Sequence, residues 1–305
     1  MMLYNKVLLG YYSGVVEEDK ARMQVLLQMN RELNKRKCEL MEEVSAELGR
    51  PFEMPLLPET EGAWLTEFGT SCAVEDQAYL DSLEPVNQHL LAAYDAHDAD
   101  AMRRALEKGA DPDLRLTWEG DTLAADAVLS GWPEAAELLL DAGADPLLED
   151  GRLLIQLCCM GEAELLRRVL QMPGVSPDFS DGYDSLAVWA AEMGQVACLR
   201  ELKAAGADLL ADDGKALCMA CAANKVESAR YLLEVCGADT ELEYDDWTPL
   251  DHAAAHDSME CAKLLLEAGA NPEHEGIWGW TPLQRADSER MRQLLDHYCL
   301  NSRRG

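Results

Sequence analysis

The stretch that decides the fold is Asp246-Trp247-Thr248-Pro249-Leu250-Asp251-His252-Ala253-Ala254, followed after four residues by Met259-Glu260-Cys261-Ala262-Lys263-Leu264-Leu265-Leu266-Glu267-Ala268-Gly269. Thr248 is a good N-cap, and Pro249 suits the first helical position, where the donor it lacks has no intrahelical partner. A short helix is therefore predicted to start at Pro249. The leucine-rich run closes at Gly269, a C-cap residue that accepts the left-handed backbone. A second helix should stop there.

Working outward, the closing glycine recurs at Gly109, Gly143, Gly174, Gly206, Gly237 and Gly269, at separations of 34, 31, 32, 31 and 32 residues. A fixed period of this size marks a solenoid of stacked units. The unit of helix, turn, helix and loop resembles the ankyrin repeat, whose Thr-Pro-Leu-His signature is approached by Thr248-Pro249-Leu250-Asp251 and Thr281-Pro282-Leu283-Gln284. The signature histidine is replaced in both copies. The second repeat keeps only Thr122 of the Thr-Pro pair, and the third to fifth keep neither. The expected fold is all-α: an ankyrin-repeat solenoid of about seven helix-turn-helix units over residues 86–305, preceded by a helical extension and connector over residues 1–85.

Lys and Arg total 26 against 57 Asp and Glu, a formal net charge of −31, with −8 of it in residues 1–85. Such a surface keeps a repeat array soluble; it also repels nucleic-acid phosphate and anionic membranes and attracts basic partners over a screening length of roughly 8 Å. No nucleic acid and no membrane is expected as a partner. No apolar run approaches the eighteen or so residues of a membrane span, and Gly10, Tyr11, Tyr12 and Ser13 interrupt the one signal-like stretch.

Five of the ten cysteines, Cys158, Cys198, Cys221, Cys236 and Cys261, fall where other repeats carry alanine. A thiol packs there as a small hydrophobe. Unpaired cysteines in this number suit a reducing cytoplasm. Cys218 and Cys221 form a Cys-x-x-Cys pair, and His252 and His256 share a helical face, but neither pair has the further ligands that a closed metal site needs. No metal site and no cofactor is expected. A phosphate-binding glycine loop and a nucleophile elbow are both missing, so the chain is read as non-enzymatic.

Before the repeats, residues 17–48 run without Gly or Pro and carry Met23, Leu26, Leu33, Leu40, Met41, Val44 and Leu48 at helical spacing. One long amphipathic helix is expected, packed on the first repeats or on a helix formed by Leu3 to Val16 rather than dimerising, so that the chain is a monomer. Arg31, Lys35, Arg36 and Lys37 read as its solvated face.

Resemblance to the ankyrin family implies two rows of partner-facing residues: Asp121, Arg152, Tyr183, Lys215, Trp247 and Trp280, then Asp126, Gln156, Trp189, Met219, His252 and Arg285. An extra residue in the fourth repeat leaves Trp189 placed to within one position. Loops preceding the units at Gly151, Gly182 and Gly214 are shorter than those before Gly120, Asp246 and Gly279, so the middle three are expected to be clipped. Trp118, Tyr183, Trp189, Met219, Tyr244, Asp245, Trp247, Trp278 and Trp280 are the candidate partner-binding residues, because large aromatics among polar groups are frequent hot spots. The expected function is stoichiometric binding of a protein with a basic segment. The alternatives are a thiol or metal protein built on Cys218, Cys221, His252 and His256, an acidic mimic of nucleic acid, and an effector secreted without a classical signal.

Overall fold

The computed structural model describes residue 79 and residues 82–116, 121–276 and 279–302. The extended N-terminal helix expected over residues 17–48 lies outside them, as do Trp118 and Trp278. Fourteen helices follow in chain order among the described residues. They are α1 Pro85–Asp95, α2 Ala99–Glu107, α3 Leu123–Leu129, α4 Pro133–Asp141, α5 Leu148–Met160, α6 Ala163–Val169 and α7 Leu186–Met193. Then come α8 Val196–Ala204, α9 Ala211–Ala222, α10 Val226–Glu234, α11 Pro249–Ala255, α12 Met259–Glu267, α13 Pro282–Arg285 and α14 Glu289–Ser302. Among these residues there are no strands, only isolated bridges at Arg115–Thr122, Ser180–Ser185 and Tyr244–Trp247.

The chain divides into two compact units. In the first, which holds residues 79–124 and 138–144 of the described chain, α1 packs on α2. Leu90, Leu91, Ala93 and Tyr94 of α1 and Met102 and Ala105 of α2 are buried. Asp98 caps α2 by accepting from the Ala101 amide at 2.9 Å. The Tyr79 hydroxyl donates to the Arg115 carbonyl at 2.7 Å, and the Asp111 amide donates to Asn87 Oδ1 at 2.8 Å.

In the second unit, with residues 125–137 and 145–302, the helices form two layers. The first helices of successive pairs, α5, α7, α9, α11 and α13, pack on one another; α6, α8, α10, α12 and α14 do likewise. Leu202, Leu232 and Leu265 of the second helices are fully buried, each worth about 2 kcal/mol of transfer free energy. At the end of α12 the Gly269 amide donates to Leu266 O at 3.2 Å and the Ala270 amide to Leu265 O at 2.9 Å, a closure that Gly269 permits with φ 101°. Cross-repeat bonds recur with the period. The Asp208 amide donates to Asp178 Oδ1 at 2.7 Å, and the Asn271 amide to Glu241 Oε1 at 2.9 Å.

Two of the three short loops are clipped as expected, and one is not. Glu149-Asp150-Gly151 and Asp212-Asp213-Gly214 each run through three successive left-handed residues. A Cβ on Gly151 would meet the Phe179 ring at 2.4 Å, and one on Gly214 would meet Leu242 Cδ1 at 2.6 Å. Phe179 and Leu242 stand at equivalent places in the following repeats, so both the turn and the stacking demand glycine. The loop at Gly182 instead folds as a small hairpin closed by the Ser180–Ser185 bridge. It holds four residues where the Tyr244–Trp247 hairpin holds two, Asp245 and Asp246, both at positive φ.

Candidate protein-binding face

The helix caps fix the register of this face. Ser185 caps α7, Thr248 caps α11 and Thr281 caps α13. Trp189, His252 and Arg285 each stand four residues after the cap, so the extra residue of the fourth repeat lies in its hairpin and the second sequence row is in register. The first row needs correction. Asp184, rather than Tyr183, occupies the place before the cap that Trp247 and Trp280 hold, and Tyr183 stands at the hairpin tip.

At α11 the missing signature histidine has a physical counterpart. Asp251 Oδ2 accepts from the Thr248 amide at 3.0 Å and the Thr248 hydroxyl at 2.9 Å, while Thr248 Oγ1 accepts from the Asp251 amide at 3.2 Å. This capping box ties both ends of the first turn. Arg285 Nε of the next repeat lies 3.1 Å from Asp251 Oδ1, with Asp251 fully buried and the Arg285 side chain 8% exposed. Burial raises the Asp251 carboxyl, opposed by the Thr248 hydrogen bonds and by the charges of Arg285 and His274. His274 also sits 3.0 Å from Glu243.

From this pair a chain of contacts crosses four repeats. The Arg285 guanidinium lies over the Trp247 ring at 4.1 Å. Trp247 meets His252 at a centroid distance of 5.3 Å, and His252 stacks on Tyr244 at 6.3 Å. Lys215 Nζ lies over the Tyr244 ring at 4.8 Å, donates to Tyr183 O at 3.0 Å, and pairs with Asp184 at 2.7 Å. Burial lowers the His252 imidazole to about 4, with His256 and Arg285 reinforcing the shift and the Tyr244 backbone and Asp245 opposing it. His252 is therefore neutral at physiological pH.

Of the described candidate residues, Tyr183 at 73% and Trp280 at 52% relative exposure are the open aromatics. Trp189, Met219, Tyr244 and Trp247 are half-buried, and Asp245 is exposed at the hairpin turn. Trp247 and Tyr244 thus belong to the contact chain rather than standing clear as isolated anchors. Sequence reasoning missed the two ion pairs that hold this chain. Their only sequence signal was the presence of Lys215 and Arg285 at row positions in a chain so short of cations.

Five of the described thiols lie in the core, while Cys236, also expected there, is half-buried. Cys158, Cys198, Cys218, Cys221 and Cys261 are fully buried. Burial pushes the Cys218 and Cys198 thiols up to about 12 and the Cys221 thiol well above its usual value, the opposite of a reactive, low-pKa cysteine. His256 Nδ1 lies 2.9 Å from the His252 carbonyl. Among the described residues no three His, Cys, Asp or Glu side chains gather as metal ligands, and no helix is long and apolar enough to cross a membrane.

Paired short helices stacked in two layers, with capped first helices and glycine-closed second helices, define a helical-repeat solenoid. The family model described as ankyrin repeats (3 copies) matches residues 187–276 and 217–302, so this part of the chain carries ankyrin repeats. The human ASB11 ankyrin repeat domain is similar at 24% identity and a TM-score of 0.60, over 71% of this chain and 98% of that one. The ankyrin repeat domain of Bcl-3, described as a unique member of the IkappaB protein family, is similar at 20% identity and a TM-score of 0.54, over 68% of this chain and 97% of that one. No curated protein matches the chain. Ankyrin repeats are in general protein–protein interaction modules.

Proposed function

We propose that this protein is a non-enzymatic binding module that holds a protein partner with a basic segment, as a monomer in the cytoplasm, through the face of its fourth to seventh repeats. The observation that carries this is the fate of the cations on that face. Lys215 is paired with Asp184, and Arg285 with Asp251. The carboxylates left toward solvent are Asp212, Asp213, Glu243, Asp245 and Glu275, beside the open rings of Tyr183 and Trp280. Acidic groups around an exposed aromatic suit Lys or Arg next to an apolar anchor. The same charge disfavours nucleic acid. Residues 1–85 act in this reading as an extension that packs on the array.

The test is affinity capture from a native lysate at two salt concentrations with mass-spectrometric identification, comparing the wild type with the double variant Tyr183→Ala, Trp280→Ala. Both rings are exposed, so the fold is retained. Loss of about 2 kcal/mol at one hot spot weakens binding roughly thirtyfold. One stoichiometric partner, recovered by the wild type and lost from the variant, is the expected outcome. Equal recovery by both proteins removes this face from the binding reaction.

A further inference from the structure

Among the buried polar atoms of this face that make no hydrogen bond, three belong to side chains of one row: Trp189 Nε1, His252 Nε2 and Arg285 Nη2. The His252 residue and the Arg285 side chain are each only 8% exposed. Buried polar groups are satisfied in the great majority of cases, and an unmade hydrogen bond costs about 1–3 kcal/mol. All three lie in one row, four residues after a helix cap, in the fourth, sixth and seventh repeats. Trp189 and Arg285 can only donate. A neutral imidazole carries one N–H and one bare nitrogen; with the proton on Nδ1, His252 Nε2 is an acceptor. The row therefore reads donor, acceptor, donor.

We propose that this row takes the main chain of an extended, basic peptide segment of the partner, whose carbonyls accept from Trp189 and Arg285 and whose amide donates to His252. The inference rests on the protein-binding reading above and adds the conformation of the bound segment and the atoms that hold it. An extended main chain is the ligand that offers donors and acceptors along a line. Helices pack about 8–10 Å apart, and an extended chain advances roughly 3.3 Å per residue. Trp189 and His252 are then separated by about six residues of ligand, His252 and Arg285 by about three. The segment is about ten residues long. Its side chains reach the exposed Asp212, Asp213, Glu243, Asp245 and Glu275, which is why it is basic.

The test uses the full chain and a set of fluorescein-labelled ten-residue peptides with Lys or Arg at alternate positions and varied residues between, read by fluorescence anisotropy. Spermine serves as a competitor with charge but no peptide backbone. Trp189→Phe keeps an aromatic ring but removes the donor together with part of the indole; it should weaken the best peptide about tenfold or more, and the ligand-side change described next isolates the hydrogen bond from the lost ring area. A ligand with an ester in place of the amide whose carbonyl meets Trp189 is a weaker acceptor and leaves the protein untouched. An ester scan along the peptide should find positions that weaken the wild type, one of which has no effect in Trp189→Phe.

Peptides that bind Trp189→Phe as well as wild type, that show no ester effect and that spermine displaces charge for charge overturn the inference, while the basic-partner reading stands. Failure of every peptide, with the captured partner still binding, overturns the extended segment alone. Failure of peptides and capture together overturns the protein-binding reading beneath it.

Discussion

Acid should loosen this fold through His252. The imidazole is 8% exposed and its pKa falls to about 4 in the folded chain, against about 6.5 when unfolded. Between those values the unfolded chain binds a proton that the native chain refuses. Stability is therefore fully present above pH 6.5, is lost as pH falls, and stops falling below about pH 4, when both states are protonated. The linkage relation gives a loss of about 2 kcal/mol between pH 7 and pH 5 for this group. Asp251 and Glu192 act in the opposite sense, because burial raises both carboxyls and the native chain takes up their protons first. The difference between wild type and a variant without the imidazole separates the histidine from these carboxyls. The assay is urea unfolding followed by circular dichroism at half-unit pH steps, on wild type and His252→Phe. Phe keeps a ring between Tyr244 and Trp247 and removes the titration. The variant should show a flatter profile between pH 7 and pH 5 than the wild type. Parallel profiles for the two proteins refute the assignment of the slope to His252.

Alanine at three glycines should separate backbone strain from close approach. At Gly206 φ is 96° and nothing stands within 4 Å of a Cβ, so Gly206→Ala carries only the left-handed penalty of about 1–2 kcal/mol. Gly214→Ala adds a clash with the mobile end of Leu242, and Gly151→Ala adds one with the Phe179 ring at 2.4 Å. Midpoints of chemical unfolding should fall in that order, with Gly151→Ala the most damaging; equal losses at all three remove the steric argument. Arg285→Ala strands the buried Asp251 carboxylate and should cost about 3 kcal/mol, of which Asp251→Asn in the same chain returns a large part. A double variant as unstable as Arg285→Ala shows that packing on Trp247, not charge, was lost.

The sequence was most legible where chemistry is local. Pro249 after Thr248, and glycine after Leu264-Leu265-Leu266, specify helix starts and stops within a few residues, and the period follows from counting them. Four of the five alanine-slot cysteines, Cys158, Cys198, Cys221 and Cys261, were legible as core for the same reason, whereas Cys236 is half-buried because its slot before the closing glycine is exposed in the other repeats, at Ala142, Ala205 and Ala268. The two-residue Asp245-Asp246 hairpin and the four-residue hairpin beneath Tyr183 were not, because loop length counts residues without saying which of them reverse the chain.

The sequence by itself determined the repeat, its helical content and the acidic surface, since each rests on spacing or composition. Tertiary structure decided which charges on that surface remain open. Lys215 meets Asp184, and Arg285 meets Asp251, only when consecutive repeats stack; the partners are about thirty residues apart, and no local rule couples them. Stacking also buries His252 Nε2 and Trp189 Nε1 without partners, because desolvation depends on what the neighbouring repeat covers, which the order of residues along one repeat does not contain.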